Sequence, residues 1–185
     1  MEILETNLKD LFILKPKVFL DNRGYFFESY SQIKMPKSYQ TISFIQDNQS
    51  LSMQKGTLRG IHFQNNPKAQ TKLVRCIQGN IWDVAIDLRV GSPTYLKWFG
   101  VELTSENYLQ LLVPKGFGHA FITLTDNTIV AYKVDEYYAK EQDRSIKFDD
   151  DYLKIDWKGL TPILSEKDLK APSLKDIDVN FKYPL

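Results

Sequence analysis

Residues 81–89 carry the sequence Ile81-Trp82-Asp83-Val84-Ala85-Ile86-Asp87-Leu88-Arg89. Every second side chain from Trp82 to Leu88 is apolar, whereas Asp83, Asp87 and Arg89 lie at the alternate positions. Successive side chains of a β-strand point to opposite faces, so a period of two residues is the signature of a strand. The segment predicts a strand with one buried face and one polar face, in a fold built from β-sheets.

Similar strand-like runs lie on both sides of this segment. The predicted strands span residues 12–15, 25–30, 43–46, 57–64, 72–77, 81–90, 98–104, 110–113, 120–124 and 128–135. Turn-forming residues separate many of them, as in Gln78-Gly79-Asn80 and Gly91-Ser92-Pro93. Helical patterns are scarce, although Ser165 has the capping pattern that begins a helix. Many short strands divided by turns indicate a β-sandwich or barrel, so we predict one all-β domain of residues 1–185 with short flanking helices.

The overall composition is that of an ordinary soluble globular domain. The formal net charge is +1, which argues against broad electrostatic attraction to nucleic acid or to a membrane surface. No apolar run has the length needed to span a bilayer, and the first residues lack the pattern of a signal peptide. We therefore expect a cytoplasmic protein. The single cysteine, Cys76, lies in an apolar run and is expected to be buried.

The chain has two histidines, His62 and His119. Arg59 lies three residues before His62, in the same predicted strand, Leu58-Arg59-Gly60-Ile61-His62. Histidine has the pKa nearest neutral pH and is a good general base, while arginine binds phosphate or carboxylate through a planar set of donors. This pair indicates proton abstraction from a small anionic substrate. Two histidines are too few for the usual metal site of a small β-barrel, so we expect no bound metal. The acidic run at 149–151 is interpreted as a solvated turn.

Segments along nearly the whole chain, in order and with ordinary spacing, resemble those of the dTDP-4-dehydrorhamnose 3,5-epimerase family. They are DNRGYFFE at 21–28, FIQDNQS at 44–50, LRGIHFQ at 58–64, KLVR at 72–75, DVAIDLR at 83–89, PKGFGHAF at 114–121, YK at 132–133 and ILSEKD at 163–168. The resemblance implies a cupin-type β-barrel or jelly roll that needs no cofactor and forms homodimers. It also implies inversion of C3 and C5 of dTDP-4-dehydro-6-deoxy-D-glucose, through enolate intermediates, to give dTDP-4-dehydro-L-rhamnose.

The same resemblance implies roles for individual residues. His62 is expected to be the base, and Asp168 is expected to orient its ring. Lys72 would stabilise the enolate oxygen, and Tyr132 would donate a proton from the opposite face. The residues implied to bind the substrate are Arg23 and Arg59 at the diphosphate, Tyr138 against the thymine ring, His119 near the sugar, and Glu28, Asp47, Asn48, Gln49, Asp143 and Lys167 along the nucleotide-sugar site.

Three alternatives stay open at this point. A mono-epimerase would invert C3 or C5 alone, and a 3,4-ketoisomerase would move the keto group of a related nucleotide sugar. A cupin that binds a sugar nucleotide without catalysis is the non-enzyme alternative. Retention of His62, Lys72, Tyr132 and Asp168 together favours an enzyme, and a proton donor opposite the base favours full epimerisation.

Strict alternation conflicts with one part of this hypothesis. It places Arg59 and His62 on opposite faces of their strand, although both are expected to contact one substrate. A β-bulge at Gly60 would bring them to the same face, and a partner subunit that completes the site would also resolve the conflict.

Overall fold

The computed structural model describes residues 1–184, and β-strands predominate. The strands are β1 (Glu2–Glu5), β2 (Phe12–Lys15), β3 (Phe19–Asp21), β4 (Gly24–Phe26), β5 (Gln46–Ser52), β6 (Leu58–Gln64), β7 (Lys72–Gln78), β8 (Asn80–Asp87), β9 (Trp98–Thr104), β10 (Gln110–Val113), β11 (Phe117–Thr123), β12 (Thr128–Val134) and β13 (Asp143–Ser145). A short helix α1 spans Glu166–Leu169, and 3₁₀ turns span Gln32–Lys34, Lys37–Tyr39 and Leu174–Asp176. Within residues 1–184, none of the helices has the length and hydropathy needed to cross a membrane. The prediction of an all-β fold with short helices is confirmed.

Two antiparallel sheets pack face to face as a jelly-roll sandwich. Sheet I has the order β1-β2-β10-β7-β12-β5, sheet II has the order β13-β6-β11-β8-β9, and β3 and β4 form a separate ribbon. The core between the sheets joins Val74 and Val130 of sheet I to Ile81 and Phe121 of sheet II. Cys76 is buried in this core, as predicted. Because the sheets face each other, side chains from β7 and β12 meet side chains from β6 and β11.

The strand predictions succeed where apolar alternation is strong and fail where it is weak. The strands at 12–15, 98–104 and 110–113 have the predicted bounds, whereas β1, β3 and β13 were not predicted. β5 begins at Gln46, where the predicted strand 43–46 was expected to end. Most side chains of β5 are polar, and its partly buried residues line a cavity rather than a core. Hydrophobic periodicity therefore cannot reveal this strand.

The pattern of β8 differs from the prediction, because both of its faces are buried. Asp83 and Asp87 are completely buried (0% exposed) on the face directed at sheet I. On the opposite face, Val84 packs with Trp157 and Phe181 of the C-terminal segment. The prediction of one buried side is wrong because the polar face is directed at sheet I, while a segment distant in sequence covers the apolar outer face. Local periodicity reports neither contact.

The acidic run at 149–151 also differs in part from its interpretation as a solvated turn. Asp150 is buried, and its carboxylate accepts hydrogen bonds from the backbone N–H groups of Tyr152 and Leu174 and from the Ser173 hydroxyl. These bonds tie the C-terminal segment to the preceding loop. The interpretation is therefore wrong for Asp150, whose neighbours in the run are exposed.

Candidate active site

A cavity of about 520 Å³ opens between the two sheets. Sheet II contributes Arg59, His62, His119 and Phe121 to its lining, sheet I contributes Asn48, Gln49, Ser50, Lys72 and Tyr132, and residues 163–165 and Asp168 close one side. An adjoining cavity of about 320 Å³ shares several of these residues and extends to Tyr138, Asp143 and Lys167. A cleft of this size, lined mainly by polar side chains, is suited to one small polar ligand.

A β-bulge in β6 brings Arg59 and His62 to the same face of sheet II. His62 pairs with His119 on β11, and Arg59 pairs with Phe121, so three steps along β6 match two steps along β11. The extra residue lies at Gly60 or Ile61, and Gly60 has φ = +136°. The bulge at Gly60 is the first of the two solutions expected from the sequence.

His62 and Asp168 form a hydrogen-bonded pair at the wall of the cavity. The distance from His62 Nε2 to Asp168 Oδ1 is 2.5 Å, and the His62 side chain is 30% exposed. Burial of Asp168 opposes its ionisation, but hydrogen bonds from His62 and Ser165 outweigh burial and hold the pKa of Asp168 below its usual value. An ionised Asp168 accepts the Nε2 proton, so His62 Nδ1 carries the lone pair that can take a proton from a ligand.

Ser165 holds the second oxygen of Asp168. Its hydroxyl donates to Asp168 Oδ2 at 2.9 Å and also accepts from the backbone N–H of Asp168 at 3.1 Å, as the N-cap of α1. The cap therefore fixes the carboxylate as well as the helix. Ser165 is predicted from the sequence as a helix cap, whereas its contact with the Asp168 carboxylate is not, although the spacing of the two residues is that of a cap and its N3 residue.

Lys72 and Tyr132 lie on the opposite wall, in sheet I. Tyr132 pairs with Val74 across β12 and β7, which puts its side chain on the same face as Lys72. Burial lowers the pKa of Lys72 to about 8. Burial also raises the pKa of Tyr132, which keeps its phenol protonated at neutral pH. The cavity thus has an imidazole on one wall and two proton-bearing groups on the other.

His119 lies beside His62 and has a carboxylate of its own. His62 and His119 are directly paired across β6 and β11, and His119 Nε2 lies 2.8 Å from Asp83 Oδ1. His119 is a predicted site residue, whereas Asp83 is not, because the sequence pattern assigns Asp83 to a polar strand face. An aspartate facing inward on a buried strand is the signal that could have identified it.

The mouth of the cavity carries charged and aromatic groups. Tyr138 donates a hydrogen bond to Asp143 at 3.1 Å, and Lys167 lies 2.6 Å from the same Asp143 oxygen. The hydrogen bond to Asp143 raises the pKa of Tyr138. The Arg59 guanidinium is exposed and contacts Ser52 at 3.3 Å. These groups are suited to a diphosphate and a planar base.

Three of the predicted site residues lie away from this cavity. Arg23 is in the turn between β3 and β4, with its side chain 84% exposed and paired with Asp21. Glu28 is exposed and paired with Lys34. Asp47 points to the opposite face of sheet I from Asn48 and forms an ion pair with Lys133 at 2.8 Å. Within one subunit, these three residues do not join the site.

Comparison with known proteins places the chain in a family. The family model described as dTDP-4-dehydrorhamnose 3,5-epimerase matches residues 5–176. The chain belongs to the dTDP-4-dehydrorhamnose 3,5-epimerase family. The family resemblance and the cupin-type jelly roll predicted from the sequence are therefore confirmed.

Individual members of the dTDP-4-dehydrorhamnose 3,5-epimerase family are similar over nearly their full length. The enzyme of Sinorhizobium fredii is 47% identical over 96% of this chain and 91% of its own. A crystal structure from Legionella pneumophila, of a dTDP-6-deoxy-D-glucose-3,5-epimerase in complex with dTDP-4-keto-L-rhamnose, has a TM-score of 0.93 at 41% identity and covers 100% of this chain and 99% of that one. A 3'-monoepimerase from Streptomyces bikiniensis, in complex with dTDP-quinovose, has a TM-score of 0.86 at 30% identity over 93% and 87% of the two chains.

Proposed function

We propose that this chain is an isomerase that inverts C3 and C5 of dTDP-4-dehydro-6-deoxy-D-glucose to give dTDP-4-dehydro-L-rhamnose. The observation that carries the proposal is the cavity itself, in which the His62–Asp168 pair faces Lys72 and Tyr132 across the gap between two sheets. Inversion at carbon needs a base on one face of the sugar and an acid on the other. Membership of the epimerase family supports the same reaction.

The chemistry begins at the C4 ketone, which acidifies the C–H bonds of both neighbouring carbons. His62 Nδ1 takes the proton from C3 or C5, and Asp168 stabilises the imidazolium through the Nε2–H bond. The C–H electron pair moves into the new C=C bond, and the negative charge develops on the C4 oxygen. Lys72 as an ammonium ion stabilises that enolate. Tyr132 then returns a proton to the carbon from the opposite face, which inverts the centre.

The nucleotide is proposed to lie toward the mouth. Arg59 binds the diphosphate, and Tyr138 stacks on the thymine ring. Lys167 adds a positive charge near the diphosphate, and Asp143 positions both Lys167 and Tyr138. Deeper in the cavity, His119 lies near the sugar, and because its Nε2–H donates to Asp83, its Nδ1 atom accepts from a sugar hydroxyl. Asn48 and Gln49, at the edge strand β5, line the remaining side.

We propose that two copies of the chain associate and that Arg23 acts at the site of the partner. The ribbon β3–β4 carries exposed apolar side chains, including Leu20 at 76% and Phe26 at 67%. Such a patch marks a protein interface. Arg23 lies at the tip of this ribbon, where a two-fold axis would carry it to the neighbouring subunit. Glu28 follows the same ribbon and is proposed to act in the same way.

Mono-epimerisation is the second candidate, because a 3'-monoepimerase has a similar structure at 30% identity. Both reactions use the same base and the same enolate. They differ in whether the second carbon also comes within reach of His62 and Tyr132. The position of Tyr132 across the cavity from His62 supports inversion and not exchange alone, but it does not distinguish one carbon from two.

Proton NMR of the 4-keto sugar nucleotide with the protein in deuterated water tests the proposal. We expect deuterium at both C3 and C5, with the product having the L-configuration. Label at one carbon would select the mono-epimerase, migration of the keto group would select the ketoisomerase, and no exchange would leave a binding protein.

Dialysis against a chelator is expected to leave the rate unchanged, since no step uses a metal. His62→Ala should abolish exchange while dTDP still binds, and loss of both would contradict the role of His62 as base.

A further inference from the structure

Asp83 is a buried carboxylate that the proposed mechanism does not use. It lies on β8 with 0% of its surface exposed. Its Oδ1 atom accepts a hydrogen bond from His119 Nε2 at 2.8 Å. Within residues 1–184, its Oδ2 atom is buried and has no hydrogen-bond partner. Burial of an unpaired carboxylate oxygen costs free energy, and a position that retains one usually has a functional reason.

The cavity that His119 lines also holds Lys72, on which the charge of Asp83 acts. The charges of Asp83 on β8 and Asp143 on β13 favour the ammonium form of Lys72, and Lys167 on α1 opposes it. Asp143 already contacts Lys167 at 2.6 Å, so much of its charge is compensated. Among the carboxylates of the described residues, Asp83 is then the one with a buried oxygen that has no hydrogen-bond partner. The other ionisable groups that line the cavity are Arg59 and His62 on β6, His119 on β11, Tyr132 on β12 and Asp168 on α1.

A bound sugar makes this charge more important. The ligand displaces water from the cavity, and loss of water disfavours the ammonium form of a buried lysine. Lys72 must nevertheless be charged at the moment when the enolate forms. The fixed negative charge of the buried Asp83 carboxylate offsets the cost of desolvating Lys72, and it needs no movement of the protein.

We propose that Asp83 is a positioning residue with two functions: its Oδ1 atom fixes the ring of His119, and its buried charge keeps Lys72 protonated in the ligand-filled cavity that His119 and Lys72 both line. This inference rests on the proposed epimerase function. It assigns Asp83 no contact with the substrate, because the side chain is completely enclosed. It also explains why β8, an interior strand of sheet II, has a carboxylate between apolar neighbours.

The variant Asp83→Asn separates the two functions. The amide oxygen of asparagine still accepts from His119, whereas the negative charge is lost. Removal of a neighbouring opposite charge lowers a lysine pKa by about one unit or more. We therefore expect the alkaline limb of the kcat profile to move about one unit to lower pH, with kcat down about fivefold at pH 8 and less than twofold at pH 6.

A direct titration of Lys72 makes the test independent of turnover. The rate of acylation of Lys72 by acetic anhydride, followed by mass spectrometry across pH, reports the pKa of the amine in each variant. His119→Asn is the matched control: it removes the ring but leaves the Asp83 charge, so kcat should fall without a downward shift of the Lys72 titration. If circular dichroism shows that Asp83→Asn is unfolded, the Lys72 titration is measured in Asp83→Ser, which also lacks the charge.

The outcomes distinguish the two proposals. An unchanged Lys72 titration and an unchanged pH profile in the Asp83 variants would overturn the inference, even with full deuterium exchange in the unmodified protein. The same downward shift in His119→Asn would also overturn it, because Asp83 would then act through His119 alone. Absence of deuterium exchange in the unmodified protein would refute the epimerase function, while the acylation titration would still report on Asp83 and Lys72.

Discussion

At the scale of single residues, Lys72 shows how function opposes stability in this site. Its amine lies in a cavity where burial lowers its pKa from 10.5 to about 8. A lowered pKa means that the folded state holds the charged form less favourably than water does. The proposed reaction uses that same charge to stabilise an enolate. The unfavourable burial is thus retained because the transition state needs it.

Lys72→Met should stabilise the fold and eliminate turnover. Methionine fills a similar volume without a charge, so at pH 7 we expect the free energy of unfolding to rise by about 1 to 3 kcal/mol. Because the pKa of Lys72 is lower in the folded state, the unfolded chain binds more protons than the folded protein between pH 8 and 10.5. The free energy of unfolding therefore rises with pH in this range, and the unfavourable contribution of Lys72 to stability disappears. The gain from the substitution should therefore shrink toward pH 10.5.

Urea denaturation at several pH values, with the deuterium-exchange assay, measures both effects. The control is Lys97→Met, because Lys97 is exposed on the surface and its substitution should change stability by less than about 0.5 kcal/mol. A loss of stability in Lys72→Met at pH 7 would show that the amine is favourably bound in the folded protein.

At the scale of elements, the bulge in β6 is the feature on which the site depends. Without the extra residue, Arg59 and His62 would point to opposite faces of sheet II. Gly60 allows the bulge in two ways. Its φ of +136° lies in a region that other residues rarely adopt, and its Cα approaches β11 so closely that an added Cβ would lie 2.2 Å from the Cβ of Ala120.

Gly60→Ala should therefore destabilise the protein and misplace His62. We expect a loss of about 2 to 4 kcal/mol from combined backbone strain and overpacking. Gly159→Ala is the matched control, because Gly159 also has a positive φ (+68°) but has no atom within 4 Å of an added Cβ. Its loss should be only about 1 kcal/mol. Thermal unfolding of both variants measures the difference, and equal losses would show that the close approach to Ala120 is unimportant.

At the scale of the whole molecule, a single subunit does not explain the position and the exposed apolar surface of the ribbon β3–β4. It carries Arg23 and several exposed apolar side chains, yet it does not border the cavity of its own chain. A homodimer in which each ribbon reaches the other subunit accounts for both facts. Each cavity would then receive its second diphosphate-binding arginine from the partner.

Mixing two inactive variants tests this arrangement. If Arg23 acts in the partner, a mixed dimer of Arg23→Ala and His62→Ala has one site with both residues intact, and random mixing should restore about one quarter of the activity. Co-expression with two affinity tags isolates the mixed dimers, and the exchange assay measures them. Each variant expressed alone is the control. No recovery in isolated mixed dimers would place Arg23 in its own subunit, and a monomeric mass in solution would contradict the dimer.

Much of this architecture follows from local patterns, and the exceptions have identifiable causes. The strands at 98–104 and 110–113 were predicted within their bounds because their alternation or apolar content is strong. β5 was misplaced because its polar side chains face a cavity. The face of β8 with Asp83 was misjudged because it is directed at sheet I, a contact that local periodicity does not report. The catalytic roles of His62, Lys72, Tyr132 and Asp168 came from the family resemblance and stay predictions, although the structure brings the four residues around one cavity.

The order of residues alone establishes the strand content, the turns and the kinds of side chain available for chemistry, because alternation, turn preference and pKa are properties of short segments. Which side chains come into contact in the site is decided by the tertiary structure. His62 and Asp168 are 106 positions apart, and His119 and Asp83 are 36 apart. Their contacts depend on strand register, on one extra residue at Gly60 and on a C-terminal segment folded across a sheet. These are cooperative consequences of packing the whole chain, so no local pattern contains them.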